Sequence, residues 1–195
     1  MNEEIMSGFN HFDLLAPLYE RYSKPFDPTR ICKIAGLPIS GRLLDAGGGT
    51  GRVSHALRSW VKDIVIADSS LGMLTQAAKK SGLITVCSNT EELPFTNESF
   101  ERVIMVDALH HVYDYKATIK ELWRVLMPGG RIVIEEPDID NWSVKMMAII
   151  EKLVLMHSHF VSPVLISRLF QNPDANVHIE REGITSWIVA EKRFA

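Results

Sequence analysis

The stretch that decides the fold covers residues 42–53 and reads Arg42-Leu43-Leu44-Asp45-Ala46-Gly47-Gly48-Gly49-Thr50-Gly51-Arg52-Val53. A short apolar run that ends in an acid predicts a buried strand, and the glycines behind it predict a tight turn. A helical pattern follows the turn. A strand, a glycine turn and the beginning of a helix together are typical of a site for a nucleotide-like ligand.

Short apolar runs alternate with amphipathic helical patterns on both sides of this stretch. Such alternation predicts an α/β fold, with a parallel sheet that is covered by helices on both faces. The predicted strands cover residues 42–45, 63–68, 83–87, 101–106 and 131–135. The predicted helices cover residues 29–35, 51–60, 70–82 and 115–126. We expect Thr29 to cap the first helix and Ser69 or Ser70 to cap the third. Lys79 and Lys80 would lie in the last turn of the third helix.

The pattern changes after Pro137. Residues 141–170 are helical in character and rich in methionine. Two strand-like runs, 177–181 and 186–190, then flank Glu182-Gly183 and predict an antiparallel hairpin. We expect a single domain over residues 1–195, with an N-terminal helical cap at 1–40 and a helical insert at 138–172.

Composition excludes several classes of function. The net charge of −3 argues against nucleic acid as the main partner, because phosphates favour a basic surface. Cys32 and Cys87 have no metal-like spacing, so we expect reduced thiols and no metal site. The first residues lack the apolar run of a signal peptide, and no run is long enough to span a bilayer, so we expect a cytoplasmic protein.

The spacing of the glycines separates the ligand classes. In the dinucleotide fingerprint G-x-G-x-x-G/A, the third small residue would fall at position 52, which is Arg52. The third glycine is Gly51 instead, so we predict that the stretch lacks the glycine that packs helix against strand. Asp45 would repel a pyrophosphate and tolerate a cation.

Five motifs follow one another along the chain. They are Asp45-Ala46-Gly47-Gly48-Gly49-Thr50-Gly51, Asp68-Ser69-Ser70-Leu71-Gly72-Met73-Leu74, Glu91-Glu92-Leu93-Pro94-Phe95 with Ser99-Phe100, Leu109-His110-His111-Val112, and Leu126-Met127-Pro128-Gly129-Gly130. With these five motifs in this order, the chain resembles the class I S-adenosylmethionine-dependent methyltransferases over about residues 9–136. Within that family it is similar to the small-molecule subgroup that includes the ubiquinone and menaquinone biosynthesis enzymes.

The resemblance implies a Rossmann-like doubly wound sheet of seven strands in the order 3-2-1-4-5-7-6, mostly parallel with an antiparallel C-terminal hairpin. It implies S-adenosyl-L-methionine as cofactor and S-adenosyl-L-homocysteine as product. The implied reaction is an in-line methyl transfer to a small-molecule acceptor, with the insert at 138–172 over the substrate site. A homodimer is a further expectation.

The resemblance also implies which residues bind the cofactor. They are Asp45, Gly47, Gly49, Gly51, Asp68, Ser69, Met73, Asn89, Thr90 and Asp107. Asp68 would accept hydrogen bonds from the ribose hydroxyls, and Met73 would lie against the adenine. The family places an acid at position 89, where the amide oxygen of Asn89 can still accept a hydrogen bond without the charge.

The family has no fixed catalytic motif, because an activated methyl group needs a general base only where the acceptor loses a proton. Candidates for such a base follow the fourth strand, at the carboxyl edge of the sheet: Asp107, His110 and His111. The histidines could instead contact the cofactor or cap a helix, and Asp107 could hold its loop. Tyr19, His110 and Met147 are the residues expected to face the acceptor.

Three other functions stay open at this point. A nucleic-acid (RNA) methyltransferase of the same fold would usually carry Asn-Pro-Pro-Tyr where this chain has Asp107-Ala108-Leu109-His110. A non-catalytic protein that binds S-adenosylmethionine could keep the same motifs. An NAD(P)-dependent oxidoreductase is disfavoured by Arg52.

Overall fold

The computed structural model describes residues 16, 26–142, 144–145 and 160–194. Within them, seven strands form one sheet in the order β3-β2-β1-β4-β5-β7-β6, which confirms the predicted order. β1 to β5 pair in parallel, and β7 pairs antiparallel with both β5 and β6. The strands are β1 Arg42–Ala46, β2 Asp63–Asp68, β3 Leu83–Cys87, β4 Phe100–Val106, β5 Leu126–Pro137, β6 Ala175–Glu182 and β7 Thr185–Lys192.

Alternate residues of the central strands contribute to two separate hydrophobic cores, one on each face of the sheet. Leu44, Val65 and Val103 face one core, and their neighbours Leu43 and Ile64 face the other. The helices are α1 Thr29–Ala35, α2 Arg52–Leu57, α3 Leu71–Ala77, α4 Tyr115–Val125 and α5 Pro163–Ser167. α4 packs on the first core and α1 to α3 on the second, so the sheet is covered on both faces.

α2 and α3 end earlier than the sequence predicts. α3 ends at Ala77, and the N–H groups of Lys79 and Lys80 donate to the carbonyls of Gln76 and Ala77, three residues back. Trp60 makes the same kind of bond to Leu57 at the end of α2. These tighter turns replace the last predicted helical turn, so Lys79 and Lys80 lie beyond α3.

The beginning of α1 also differs from the prediction. Thr29 is the first helical residue rather than the cap, and Asp27 Oδ1 accepts both its N–H (2.9 Å) and its hydroxyl (2.6 Å). At the other end, Arg102 Nε donates to the Ala35 carbonyl at 2.6 Å, and the Arg131 guanidinium donates to that of Ile34. Two arginines of neighbouring strands therefore hold the end of α1 on the sheet.

β5 is longer than predicted at both ends. Leu126 pairs with Phe100 and Arg131 with Arg102, so residues 127–130 form a bulge opposite a single residue of β4. Met127-Pro128-Gly129-Gly130, which separate the predicted helix 115–126 from the predicted strand 131–135, are therefore an irregularity inside the strand. At its other end β5 extends to Pro137, which places Glu136 within the strand.

The predicted cap and insert are described only in part, since residues 1–15, 17–25, 143, 146–159 and 195 lie outside the described residues. In the described part of the insert, Ile166 of α5 is buried in the first core. The hairpin turn is Gly183-Ile184, one residue later than predicted. Among the described residues, no helix is long and apolar enough to cross a membrane.

Candidate active site

A cavity of about 1030 Å³ opens at the carboxyl ends of β1, β2 and β4. Its walls come from the loops that follow these strands, together with residues 88–92 after β3, Pro137 at the end of β5, and Phe160. The carboxyl ends of parallel strands meet at one edge of a sheet, so motifs that lie far apart in sequence converge there.

Gly47 and Gly49 shape the turn after β1. Both have positive φ angles, of 70° and 54°. A Cβ atom at position 47 would lie 2.7 Å from Ala108 Cβ, whereas a Cβ at position 49 would meet no atom within 4 Å. Gly47 thus permits close contact with the loop after β4, and Gly49 leaves its side of the cavity open.

Gly51 is not among the residues that line the cavity. Its φ angle is 73°, and a Cβ there would lie 2.9 Å from Ile66 Cδ1 and 2.9 Å from Leu83 Cδ1. Gly51 therefore packs the beginning of α2 closely against β2 and β3. The prediction that the stretch lacks a packing glycine was wrong, because Gly51 fills that role one position early.

Asp45 does not line the cavity either. Its side chain is 1% exposed, and its Oδ2 accepts a hydrogen bond from Ser54 Oγ at 2.6 Å. Burial raises the pKa of Asp45 to about 6, and the nearby Asp68 carboxylate adds to the shift. The carboxyl group packs against the glycine loop: a Cβ atom at position 48 would lie 2.7 Å from Asp45 Oδ2.

Asp68 joins two walls of the cavity. Its Oδ2 accepts the Gly49 N–H at 2.8 Å, and its Oδ1 accepts the Ser70 N–H at 2.8 Å. Ser70, one of the two predicted caps, is the residue that caps α3, and its Oγ accepts the Met73 N–H at 3.1 Å. Asp68 and Met73, which this chain of contacts connects through Ser70, both line the cavity.

Most of the sequence-predicted site residues come together on this wall. They are Gly47, Gly49, Asp68, Ser69, Met73, Asn89, Thr90, Asp107, His110 and His111. Tyr19 and Met147 lie outside the described residues. The roles of these residues toward a cofactor or an acceptor stay predictions.

Two buried hydroxyl groups on the wall were missed by sequence reasoning. Thr50 Oγ1 and Ser88 Oγ are buried and have no hydrogen-bond partner among the described residues. A buried polar atom without a partner is costly, and such atoms are usually satisfied by a ligand or by water. Thr50 lies in the glycine loop after β1 and Ser88 directly after β3, so a hydroxyl residue in the loop that follows a strand is the signal that could have found them.

The described lining residues carry an excess of negative charge. The acids are Asp68, Glu91, Glu92, Asp107 and Asp114, whereas the lining has one arginine, Arg52. A cation is favoured by such a lining and a pyrophosphate is repelled. The unpartnered hydroxyls and the acidic lining thus fit a cationic, polar cofactor such as S-adenosylmethionine.

A buried carboxylate, Glu136, organises the histidine side of the cavity. Its Oε1 accepts the N–H groups of Ala108 (3.0 Å) and Leu109 (2.7 Å). Its Oε2 lies 2.5 Å from His110 Nδ1. Sequence reasoning missed Glu136 because the predicted strand stopped at residue 135; the signal was an acid next to the carboxyl end of an apolar strand.

The neighbours of His110 have shifted pKa values. Burial lowers the pKa of His111 to about 4, and the adjacent His110 ring contributes. The surrounding protein raises the pKa of Asp107 by desolvation, and the Glu136 carboxylate raises it further. His111 is therefore a neutral ring at physiological pH, whereas the pKa of Asp107 lies above its usual value.

Comparison with known proteins identifies the domain. Residues 44–134 match the methyltransferase domain family. The demethylmenaquinone methyltransferase of Mycobacterium sp. (strain KMS) is 32% identical over 156 residues, which are 80% of this chain and 65% of that protein. The corresponding enzyme of Clavibacter sepedonicus is 32% identical over 155 residues, or 77% of this chain and 61% of that protein. The chain thus spans less than two thirds of the length of these relatives.

Solved structures share the fold. A SAM-dependent methyltransferase from Thermotoga maritima aligns with a TM-score of 0.73 and 23% identity, over 93% of this chain and 98% of that one. One from Aquifex aeolicus aligns with a TM-score of 0.72 and 16% identity, over 94% and 98%. Residues 44–134 thus match a methyltransferase domain, the chain is similar in sequence to demethylmenaquinone methyltransferases, and it shares the fold of solved SAM-dependent methyltransferases.

Proposed function

We propose that this protein transfers a methyl group from S-adenosylmethionine to a small-molecule acceptor. The observation that carries the proposal is the meeting of Gly49 and Asp68 at the wall of an acid-rich cavity. When bound, the cofactor supplies a methyl group that is already activated on a positively charged sulfur. The protein then needs to bind, orient and exclude water rather than to activate the methyl group.

Four residues would hold the cofactor. The Asp68 carboxylate lines the cavity, accepts two backbone N–H groups and would accept hydrogen bonds from hydroxyl groups of the cofactor. The hydroxyl groups of Thr50 and Ser88 offer hydrogen bonds that the described residues leave unmade. Met73 is 5% exposed and would supply apolar contact to a flat ring.

The opposite side of the cavity would receive the acceptor. It is lined by His110, His111, Pro137 and Phe160, with Tyr113 fully exposed at its edge. The Phe160 ring stacks on that of His110, with centroids 4.7 Å apart and an interplanar angle of 9°. A surface of stacked rings favours a flat, uncharged acceptor, and the quinone head group in the relatives' name is of this kind.

The charges in the cavity disfavour nucleic acid as the acceptor. Glu91 and Glu92 lie on the cavity wall beside Asp114. The Oε1 atom of Glu91 accepts the N–H groups of Tyr113 (2.9 Å) and Asp114 (3.1 Å), so its charge is held at this position. A phosphate backbone would meet carboxylates here instead of lysine or arginine.

A homodimer and a cytoplasmic location stay predictions.

Titration calorimetry with S-adenosylmethionine tests the cofactor, and methylation of a short-chain demethylmenaquinol tests the acceptor. We expect saturable binding, and a product heavier by one CH₂ group in mass spectrometry. A protein without detectable binding at millimolar cofactor would refute the proposal. Binding without methylation of this quinol would retain the cofactor and reject this acceptor.

A further inference from the structure

The histidine on the cavity wall is held by a carboxylate of the neighbouring strand. Glu136 is 3% exposed and sits in β5, one residue before Pro137. Three nitrogen atoms surround its carboxyl group: the backbone amides of Ala108 and Leu109 donate to Oε1, and His110 Nδ1 lies beside Oε2. The two backbone amides thus occupy Oε1, and Oε2 is the oxygen that faces the His110 ring.

The contact with Glu136 decides which nitrogen of His110 carries the proton. A carboxylate can only accept hydrogen bonds, so His110 Nδ1 is the donor of the 2.5 Å contact. In the neutral ring the basic lone pair is then on Nε2. The stacking of Phe160 on the His110 ring fixes the plane of the ring, and His110 itself lines the cavity.

We infer that Glu136 is a positioning residue which makes His110 Nε2 the proton acceptor of the methyl-transfer reaction. This inference rests on the proposed function and names the pair of residues that removes a proton from the acceptor molecule. Carboxylate–histidine pairs act in the same way in hydrolases, where the carboxylate sets the tautomer and stabilises the imidazolium.

The proton and electron changes balance. His110 Nε2 takes the proton of an acidic group on the acceptor, and the electron pair so released forms the new bond to the methyl carbon, directly or through a conjugated ring. The carbon–sulfur bond breaks and its electron pair stays on sulfur, which becomes neutral. The positive charge passes to the His110 imidazolium beside Glu136, and the proton later leaves to water. The pair therefore favours acceptors with an acidic proton, such as phenols and hydroquinones.

The other two candidate bases fit this step less well. His111 has a pKa of about 4, so its neutral ring is a weak base. Asp107 also interacts with His110; desolvation raises its pKa, but a carboxylate starts from a lower ordinary pKa than an imidazole. His110 is the only one of the three with a contact to Glu136 among the described hydrogen bonds.

Nitrogen-15 NMR of the histidine rings tests the tautomer without any need for activity. In the wild-type protein at neutral pH we expect His110 Nδ1 to carry the proton and Nε2 to show the shift of an unprotonated nitrogen. In Glu136→Gln the side-chain amide can donate to Nδ1, so the proton should move to Nε2. A matched control is Glu135→Gln, because Glu135 lies in the same strand and accepts from Trp187 Nε1 at 2.6 Å instead. This control should leave the His110 tautomer unchanged.

Kinetics with the short-chain demethylmenaquinol then test the role. Both Glu136→Gln and His110→Gln should lower kcat about 100-fold, the scale of general base catalysis. The Kd for S-adenosylmethionine should stay within about 2-fold of the wild-type value, because a lost proton acceptor affects the transition state. A wild-type His110 proton on Nε2, or an unchanged kcat in His110→Gln, overturns the inference. A wild-type protein that does not bind S-adenosylmethionine would refute the proposed function, whereas the wrong His110 tautomer in a protein that binds it would refute this inference alone.

Discussion

The Gly49 N–H donates to Asp68 Oδ2 at 2.8 Å, which joins the glycine loop after β1 to the end of β2. The two residues are 19 positions apart in sequence. Because Oδ1 of the same carboxylate accepts the Ser70 N–H, Asp68 also orients the beginning of α3. One side chain thus holds both walls of the predicted cofactor site.

Asp68→Asn tests this double role. Asparagine offers one acceptor oxygen where Asp68 uses two, so one backbone N–H loses its partner. We expect the free energy of unfolding to fall by about 1–2 kcal/mol. The Kd for S-adenosylmethionine should rise at least about 10-fold, which corresponds to roughly 1.4 kcal/mol. Urea unfolding and titration calorimetry measure the two effects, with Asp63→Asn at the other end of β2 as control. An unchanged Kd would show that the ribose assignment is wrong.

Gly49→Ala should mainly weaken cofactor binding, whereas Gly51→Ala should mainly lower stability. Position 49 has open space toward the cavity, so alanine there should cost only about 1 kcal/mol of stability, from its positive φ angle. The added methyl group should also exclude part of the ligand and raise the Kd for S-adenosylmethionine more than about 10-fold. This increase corresponds to a loss of more than about 1.4 kcal/mol of binding free energy. Alanine at position 51 would contact Ile66 and Leu83 and should cost about 3 kcal/mol.

Thermal unfolding and calorimetry separate these glycine variants. Gly183→Ala, at φ 61° with open space in the hairpin turn, is the matched control for the backbone cost alone. Equal losses of stability at positions 49 and 51 would contradict the distinction between a ligand-facing glycine and a packing glycine.

Thr50→Val tests whether the unpartnered hydroxyl serves the cofactor. The Thr50 hydroxyl is buried without a partner among the described residues, so an isosteric methyl group should leave the stability of the unliganded protein unchanged or raise it. Affinity for S-adenosylmethionine should fall by about 1 kcal/mol, or roughly 5-fold.

Thr118→Val is the matched comparison for Thr50→Val. Thr118 Oγ1 lies 3.1 Å from Thr90 Oγ1 in a buried pair, so valine there should lower the free energy of unfolding by about 1–2 kcal/mol. If Thr50→Val destabilises the protein as much as Thr118→Val and leaves the Kd unchanged, the Thr50 hydroxyl has a structural partner instead of a ligand.

The buried carboxyl group of Asp45 should make stability depend on pH. Its pKa in the folded protein is about 6, above the ordinary value of 3.8. Between these values the unfolded chain releases the proton while the folded chain keeps it. Stability is therefore fully present below about pH 4 and is lost as the pH rises to about 6, by up to about 3 kcal/mol for roughly two pKa units.

Asp45→Asn removes this titration and keeps an acceptor for the Ser54 hydroxyl. The free energy of unfolding of the variant minus that of the wild type should increase between about pH 4 and pH 6 and be constant above that range. Urea unfolding at several pH values measures it, with Asp174→Asn before the hairpin as control. A difference that does not change with pH would show that Asp45 titrates alike in the folded and unfolded states.

Much of the fold could be predicted from local patterns. The strands of residues 63–68 and 83–87 were predicted at their observed bounds, since apolar runs between turns are short-range signals. The β5 bulge could not be predicted, because Met127-Pro128-Gly129-Gly130 is typical of a turn between two elements. Only the pairing of Leu126 with Phe100 and of Arg131 with Arg102, on either side of the bulge, keeps these residues within a strand.

The sequence by itself determined the motif order, and with it the sheet and the edge at which the ligand side chains gather, because strand ends and glycine turns are local properties. Tertiary structure alone decided what each residue of the glycine stretch does. Asp45 and Gly51 belong to the same motif as Gly49, yet they face the protein interior while Gly49 faces the cavity. It also decided that Glu136, 26 residues after His110, is the partner of that ring. Which atoms lie within hydrogen-bond distance across neighbouring strands depends on register and packing, and no local pattern contains that information.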